Sequence, residues 1–302
     1  MLSGSTMLPA RQSSSSPLID RDCPDPGVVE LADGWLLAST SGRREDALDL
    51  WRSPDLRRWQ RVGAIFPHGS WPGWAAGDFW APEPALIGGR LHCWYTARDQ
   101  GGRLCIGLAW QEDGRWRDHG RPFLRREDLG LIDPALLRAP DGRLILLWKE
   151  DGNDCRPQRP CRILAQELAA DGRTVLGQAS VIAVNDRAWE GDVVEAPCLI
   201  HRDGWYVLFY SGHGFGGAAY ATGVARSRSP FGPFVKRDEP ILVSSATWKG
   251  PGHGTVATVG GSDWFLCHAW RADQVGAPHP RRLLRAAIAW QDGWPRLGPL
   301  SG

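Results

Sequence analysis

The chain has 302 residues, 42% of them hydrophobic and 23% charged, and 35 basic residues stand against 34 acidic ones for a formal net charge of +1. This is a globular composition rather than a disordered one, and so even a balance gives no electrostatic reason to expect nucleic acid or an anionic membrane as partner. No apolar stretch approaches the roughly 18 residues of a membrane-spanning helix.

The first residues, MLSGSTMLPARQSSSSPLID, lack a basic segment followed by an apolar core. Residues 1–19 therefore read as a Ser-rich flexible tail rather than a secretory signal, and a cytoplasmic location is the expectation. From residue 20 to 302 one element recurs: a polar or acidic residue, often Pro, then a short apolar run. It appears as DPGVV from Asp25, EPALI from Glu83, DPALL from Asp133, EAPCLI from Glu195 and HGTVATV from His253. Each copy is followed by a turn and a second apolar run, ADGWLLAST in the first and RDGWYVLFYSG in the fourth. Asp-Gly and Gly-Gly between apolar runs are hairpin signals, because such turns need positive φ. A third run (LDLWRS, RLCIGLAW, CRILAQEL, ATGVARS, RLLRAAIAW) and a weaker fourth complete each unit.

Five four-stranded antiparallel units predict an all-β, five-bladed β-propeller forming a single domain over 20–302. A two-sheet sandwich would not explain the regular return of the same element. In a propeller the first strand of each blade lines the central channel. Asp25, Glu83, Asp133, Glu195 and His253 are thus expected to begin the inner strands and converge near the axis.

The 17 Trp fit a packed β core, sugar-stacking surfaces or both. The seven Cys are dispersed, without zinc-ligand spacing. Cys93, Cys198 and Cys267 lie in apolar runs and read as small buried thiols. Cys155 and Cys161 bracket the loop CRPQRPC and could pair only if oxidised.

Any single Asp-Pro is ordinary turn chemistry. Three acids at one phase of a repeat are different, because they crowd like charges at one mouth and raise some pKa values. Carboxylates in a Trp-rich cleft are the parts needed to hydrolyse a glycosidic bond, one to protonate the leaving oxygen and one to activate water.

CPDPGVV, FWAPEPAL, LIDPALL, WEGDVVEAPCLI and GPGHGTVA, in this order across nearly the whole propeller, resemble glycoside hydrolase family 43. The resemblance implies Asp25 as general base, Asp133 as the residue that tunes and orients the acid, and Glu195 as general acid of an inverting enzyme. It departs from the family in having Ala196 where Gly often follows that Glu. It implies for His253 a place near the axis, where some members hold a calcium ion or an ordered water; a hydrogen-bonded structural His is the alternative. No cofactor is required by this chemistry.

Trp80 and Trp74 are candidates for the wall and rim of a sugar pocket, with inter-blade packing as the competing role. Arg281 or Arg282 is the candidate for an Arg near the attacking water. Glu83 is expected to face the channel without being catalytic, and Glu190 and Asp192 to position the loop before Glu195. The expected substrate is an arabinose- or xylose-containing oligo- or polysaccharide. An exo-acting α-L-arabinofuranosidase or arabinanase comes first, favoured by the apparent lack of an export signal. A β-xylosidase, a β-galactofuranosidase and a non-catalytic carbohydrate-binding propeller stay open. A protein-binding propeller lacks the closing Trp-Asp dipeptide or the double-glycine pattern of such repeats.

Overall fold

The computed structural model describes residues 16–41 and 46–302. Among the described residues, twenty strands form five four-stranded antiparallel sheets, each in strict sequence order. Blade 1 is β1 (Gly27–Leu31), β2 (Gly34–Ser39), β3 (Ala47–Ser53) and β4 (Gln60–Phe66). Blade 2 is β5 (Ala75–Ile87), β6 (Arg90–Asp99), β7 (Leu104–Glu112) and β8 (Arg115–Asp118). Blade 3 is β9 (Leu131–Arg138), β10 (Leu144–Glu150), β11 (Arg162–Leu168) and β12 (Val175–Val184). Blade 4 is β13 (Val194–Arg202), β14 (Trp205–Gly212), β15 (Ala221–Ser227) and β16 (Val235–Lys236). Blade 5 is β17 (Trp248–Val259), β18 (Ser262–Arg271), β19 (Arg282–Gln291) and β20 (Trp294–Leu297). The helical segments among the described residues are two single 3₁₀ turns, Gly152–Asp154 and Ala188–Glu190.

The hairpins form where the dipeptides predict them. Gly88–Gly89, Asp113–Gly114, Asp203–Gly204, Gly260–Gly261 and Asp292–Gly293 all carry positive φ at both positions. That is the turn whose twist matches the flanking strands.

A blade cannot bury both faces alone, so the core is divided among the blade interfaces. Leu36, Ala38 and Leu50 meet Phe79, Cys93 and Tyr95 between blades 1 and 2. Trp94 and Leu108 meet Leu146 and Trp148 between blades 2 and 3, and Leu147 and Ile163 meet Leu199 and Leu208 between blades 3 and 4. Phe209 stacks on Phe265 at 5.3 Å between blades 4 and 5. The last interface joins blade 5 to blade 1 through Leu266, Leu283, Trp35 and Trp51.

This closing interface takes in the end of the expected tail. Residues 1–15 of that tail lie outside the described residues. Ile19, within the stretch expected to be flexible, is buried against the closing cluster, and the Leu18 N–H donates to the Leu283 carbonyl at 2.9 Å. Hydrogen bonding along the edge of blade 5 therefore begins before residue 20.

Candidate active site

The innermost segments of the blades carry a ring of five residues with left-handed backbones: Asp25 (φ 52) just before β1, and Ala81 (φ 46), Asp133 (φ 56), Ala196 (φ 55) and His253 (φ 45) within β5, β9, β13 and β17. Four precede Pro and one precedes Gly. This corrects the expected phase. Ala81 and Ala196 occupy the ring positions of blades 2 and 4, while Glu195 lies one residue before the ring and Glu83 two residues after it. Non-glycine residues in this region each cost about 1–3 kcal/mol, and such strain gathers at functional sites.

Side chains of the preceding blade hold the ring in place through its backbone N–H groups. The Ala81 N–H donates to Thr40 Oγ1 (2.7 Å), that of Asp133 to Thr96 Oγ1 (3.0 Å) and that of His253 to Ser211 Oγ (2.9 Å). The Asp25 N–H donates to His268 Nδ1 (3.1 Å), across the closing interface. The blade 4 contact differs: the Ala196 N–H donates to the Asp133 carboxylate itself, at Oδ2 (2.9 Å).

Above the ring lies a pocket of about 460 Å³ that brings together Asp25, Asp133, Glu195, His253, Trp80 and Arg281. Its size falls within the range of small-molecule sites. Asp25 is buried, and its carboxylate is surrounded by donors. Thr40 Oγ1 donates to Oδ2 (2.6 Å), and Arg281 Nη1 donates to Oδ1 (3.1 Å). His268 Nδ1 and His253 Nδ1 lie 3.2 and 3.3 Å from Oδ1. Burial alone would raise the Asp25 pKa; the Arg281 charge first, and His253 after it, outweigh burial and hold the carboxyl well below the usual range. His268 is pushed down to about 4 by burial and by Arg281, so it is neutral at pH 7.

Asp133 is equally buried but lacks a cation of its own. Burial, with the charge of Glu195 adding to it, outweighs His253 and Lys149 and pushes its carboxyl up to about 7. Glu195 in turn meets Lys149, whose Nζ lies 2.9 Å from Oε2 and 2.9 Å from Asp151 Oδ1.

The two tryptophans divide. Trp80 lines the pocket. Trp74 instead stacks on Tyr95 at 6.3 Å and donates from Nε1 to Asp118 Oδ1 (3.0 Å), so it belongs to the packing of blade 2 and not to the rim. The arginines divide as well. Arg281 reaches Asp25, whereas Arg282 donates to Asp20 (2.6 Å) and Gln274 (2.9 Å), outside the pocket. Glu190 is fully buried and accepts from the N–H groups of Asp186 and Arg187 and from the Tyr210 hydroxyl, which fixes the loop before β13. Asp192 contributes its carbonyl, 3.2 Å from Cys161 Sγ. Cys155 and Cys161 are free thiols.

Glu83 lines a void of about 30 Å³ on the channel axis, with His253 and Thr255 on its wall. Burial pushes its carboxyl up to about 8, and its Oε1 accepts the Leu136 N–H (3.0 Å). Calcium takes six to eight oxygen ligands. A carboxyl that is neutral at pH 7 and an imidazole engaged with Asp25 do not supply them. Among the described residues no group of three or more His, Cys, Asp and Glu gathers around a metal position.

Reading from motifs missed Thr40, Lys149, Asp151 and His268, and also Arg98, Asn153 and Phe215 of the pocket wall. Thr40, Lys149 and His268 sit at the ends of second strands, so aligning the second strands of the five blades would have exposed them.

The comparisons with known proteins agree with this geometry. The family model described as glycosyl hydrolases family 43 matches residues 14–295. The extracellular endo-α-(1→5)-L-arabinanase 1 of Bacillus subtilis is 25% identical, over 90% of this chain and 86% of its own length. The extracellular exo-α-(1→5)-L-arabinofuranosidase ArbA of Cellvibrio japonicus is 24% identical, over 91% and 86%. The chain spans 56% of a longer relative, a xylosidase/arabinosidase of Butyrivibrio fibrisolvens, at 24% identity over 95% of this chain. Among solved structures, a thermostable family-43 glycoside hydrolase superposes with a TM-score of 0.83 at 25% identity, covering 93% of this chain and 94% of its own. A five-bladed propeller with these motifs in this order belongs to glycosyl hydrolases family 43, and the chain is a glycoside hydrolase of that family.

Proposed function

We propose that the chain is an inverting, exo-acting glycosidase that releases α-L-arabinofuranosyl units, with Asp25 as general base and Glu195 as general acid. The observation that carries this reading is the opposite environment of carboxyls lining one pocket. Asp25 is held ionised by Arg281 and His253, while the carboxyl of Asp133, beside Glu195, is pushed up to about 7. Two titratable groups pushed apart in this way are how a site assigns base and acid.

The step balances. A water oxygen bonds to the anomeric carbon as the bond from that carbon to the leaving oxygen breaks. Asp25 takes the water proton and Glu195 delivers its own to the leaving oxygen. Asp133 holds the Ala196 N–H, and through that backbone the acid beside it. Trp80 offers a face for the sugar ring.

A pocket of about 460 Å³ supports exo action on short chains. Arabinose is supported by the two relatives named for α-(1→5)-L-arabinan linkages, which match across most of their own length. β-Xylosidase activity is the second reading, supported by the longer xylosidase/arabinosidase relative.

The test is hydrolysis of aryl α-L-arabinofuranoside, aryl β-D-xyloside, aryl β-D-galactofuranoside and α-1,5-arabino-oligosaccharides, with Asp25→Asn as the blank. Release of arabinose from chain ends, with the first-formed sugar inverted by NMR, is expected. Retention of configuration, or turnover undiminished in the variant, would sink the assignment.

A further inference from the structure

The five-fold repeat has one break, and it lies beneath the acid. In four blades the residue at the end of the second strand is an acceptor for the next blade's ring N–H: Thr40, Thr96, Ser211 and His268. Three of them pair across the sheet with the residue just before the ring, as Trp80↔Thr96, Glu195↔Ser211 and Gly252↔His268. In blade 3 the pair is Ile132↔Lys149. An ammonium has three donors and no acceptor. Lys149 therefore cannot take the Ala196 N–H, which turns to Asp133 instead.

What Lys149 does hold is Glu195. Its side chain is 1% exposed, so the ammonium has left water and is compensated by two carboxylates at 2.9 Å each, Glu195 Oε2 and Asp151 Oδ1. The chain contains three lysines against 32 arginines, so a compact ammonium here is a departure from its general usage. Burial would pull the Lys149 ammonium down, but Glu195 and Asp151 outweigh it and keep it charged.

The geometry points to Lys149 as a positioning residue for the general acid: by engaging Oε2 it leaves Oε1 to carry the transferable proton, and its charge stabilises the carboxylate that proton donation leaves behind. This rests on the reading of Glu195 as the acid. The charged and titratable groups packed around this acid are Lys149 and Asp151 of blade 3, Cys161 beside the ammonium, Asp133, Tyr220 of blade 4, and His253 with Asp25 across the pocket, whose wall also carries Asp22, Arg98, Asp154 and Arg281. Of the cations, Lys149 is the one in direct contact with the Glu195 carboxylate, so its removal takes away the nearest positive charge.

The test compares wild type with Lys149→Met by carboxyl-carbon NMR titration and by the pH profile and leaving-group dependence of kcat/KM. The pair's titration and the alkaline limb are expected to move up by about 1–3 pH units. Loss of kcat is expected to steepen as the leaving group worsens, with KM little changed. Lys149→Met/Asp151→Asn removes both buried charges together and keeps the test open if the single variant does not fold. An unmoved titration in a folded variant would overturn the inference, whatever the change in melting temperature. If the titration moves but wild type cleaves no glycoside, Lys149 still holds Glu195 and the proposed reaction is what fails.

Discussion

Asp25 and Asp133 are the same residue in the same local sequence, each followed by Pro, with φ of 52 and 56 and exposures of 8% and 6%. Their surroundings are opposite. Asp25 faces Arg281, His253 and His268; Asp133 shares His253 but faces Glu195 and a backbone N–H in place of the arginine. One is held below the usual carboxylate range and the other is raised to about 7. Burial acts alike on both, so what separates them is the neighbouring charge, brought in by strands far apart in sequence. The motif alone cannot assign the role of an Asp-Pro.

The sharpest way to break the comparison is to remove one carboxylate at a time. Asp25→Asn is expected to lower kcat/KM by about 10²–10⁴ on every substrate, because no leaving group dispenses with water activation. Glu195→Gln is expected to match that loss on arabino-oligosaccharides but to spare aryl glycosides, which need little protonation. Equal losses on both substrate types in the Glu195 variant would undo its role as the acid.

The pH profile reads the same contrast. Asp25 stays ionised well below pH 3.8, so the acid side of kcat/KM is expected to be flat to about pH 4. The alkaline side is expected to fall through about pH 7 as the Asp133–Glu195 pair loses its proton. Arg281→Met removes the cation that does most to hold Asp25 ionised, so the acid limb should move upward while the alkaline limb stays. Movement of both limbs together would mean that the two halves of the site are not electrostatically distinct.

Stability should divide in the same way. A carboxyl whose folded pKa is depressed contributes stability that is present above 3.8 and lost as pH falls through the folded value. A raised one does the reverse: folding is penalised progressively as pH climbs from 3.8 through about 7. Asp133→Asn, which still accepts the Ala196 N–H, should therefore raise the melting temperature at pH 8. Asp25→Asn, which leaves the part-buried Arg281 without its anion, should lower it. Melting curves at pH 5 and pH 8 decide this, and a gain for both variants would refute the division.

Much of this was readable from sequence, for stated physical reasons. Period-two apolar runs and left-handed turn dipeptides fix strands and hairpins locally, so five blades and their order could be counted. Asp25 and Asp133 lie on the ring because Asp-Pro marks the strained entry of an inner strand. The phase of blades 2 and 4 was misread at Glu83 and Glu195, because the ring positions there are Ala81 and Ala196, which carry no chemical signal. Trp74 and Trp80 could not be told apart, since an indole suits a blade interface and a sugar face equally. Arg281 and Arg282 are adjacent on one strand edge and point apart, one to Asp25 and the other to Asp20. Lys149 and His268 were hidden because their roles exist only across a blade boundary.

The tryptophan pair gives a smaller contrast. Trp74→Ala removes the Tyr95 stack and the Asp118 hydrogen bond, and about 3 kcal/mol of stability is expected to go with them, at unchanged KM. Trp80→Ala is expected to raise KM roughly tenfold, for a loss of about 1.4 kcal/mol of stacking, with less effect on melting. Exchange of these two phenotypes would place the sugar on the other indole.

The smallest expected effect belongs to Glu83, the acid that shares the channel but not the pocket. Its carboxyl is raised to about 8 by burial, with a single backbone donor to offset it, so above its ordinary value of 4.5 it penalises folding. Glu83→Gln keeps an oxygen for the Leu136 N–H and removes the ionisable proton. Melting temperature at pH 8 should rise by about 2–4 °C, the shift that roughly 1 kcal/mol produces in a domain somewhat smaller than this one, and kcat and KM should stay as in wild type. A change in the pH profile would mean that charge on the channel axis reaches the Asp133–Glu195 pair. The separation drawn between the channel and the pocket would then have to be abandoned.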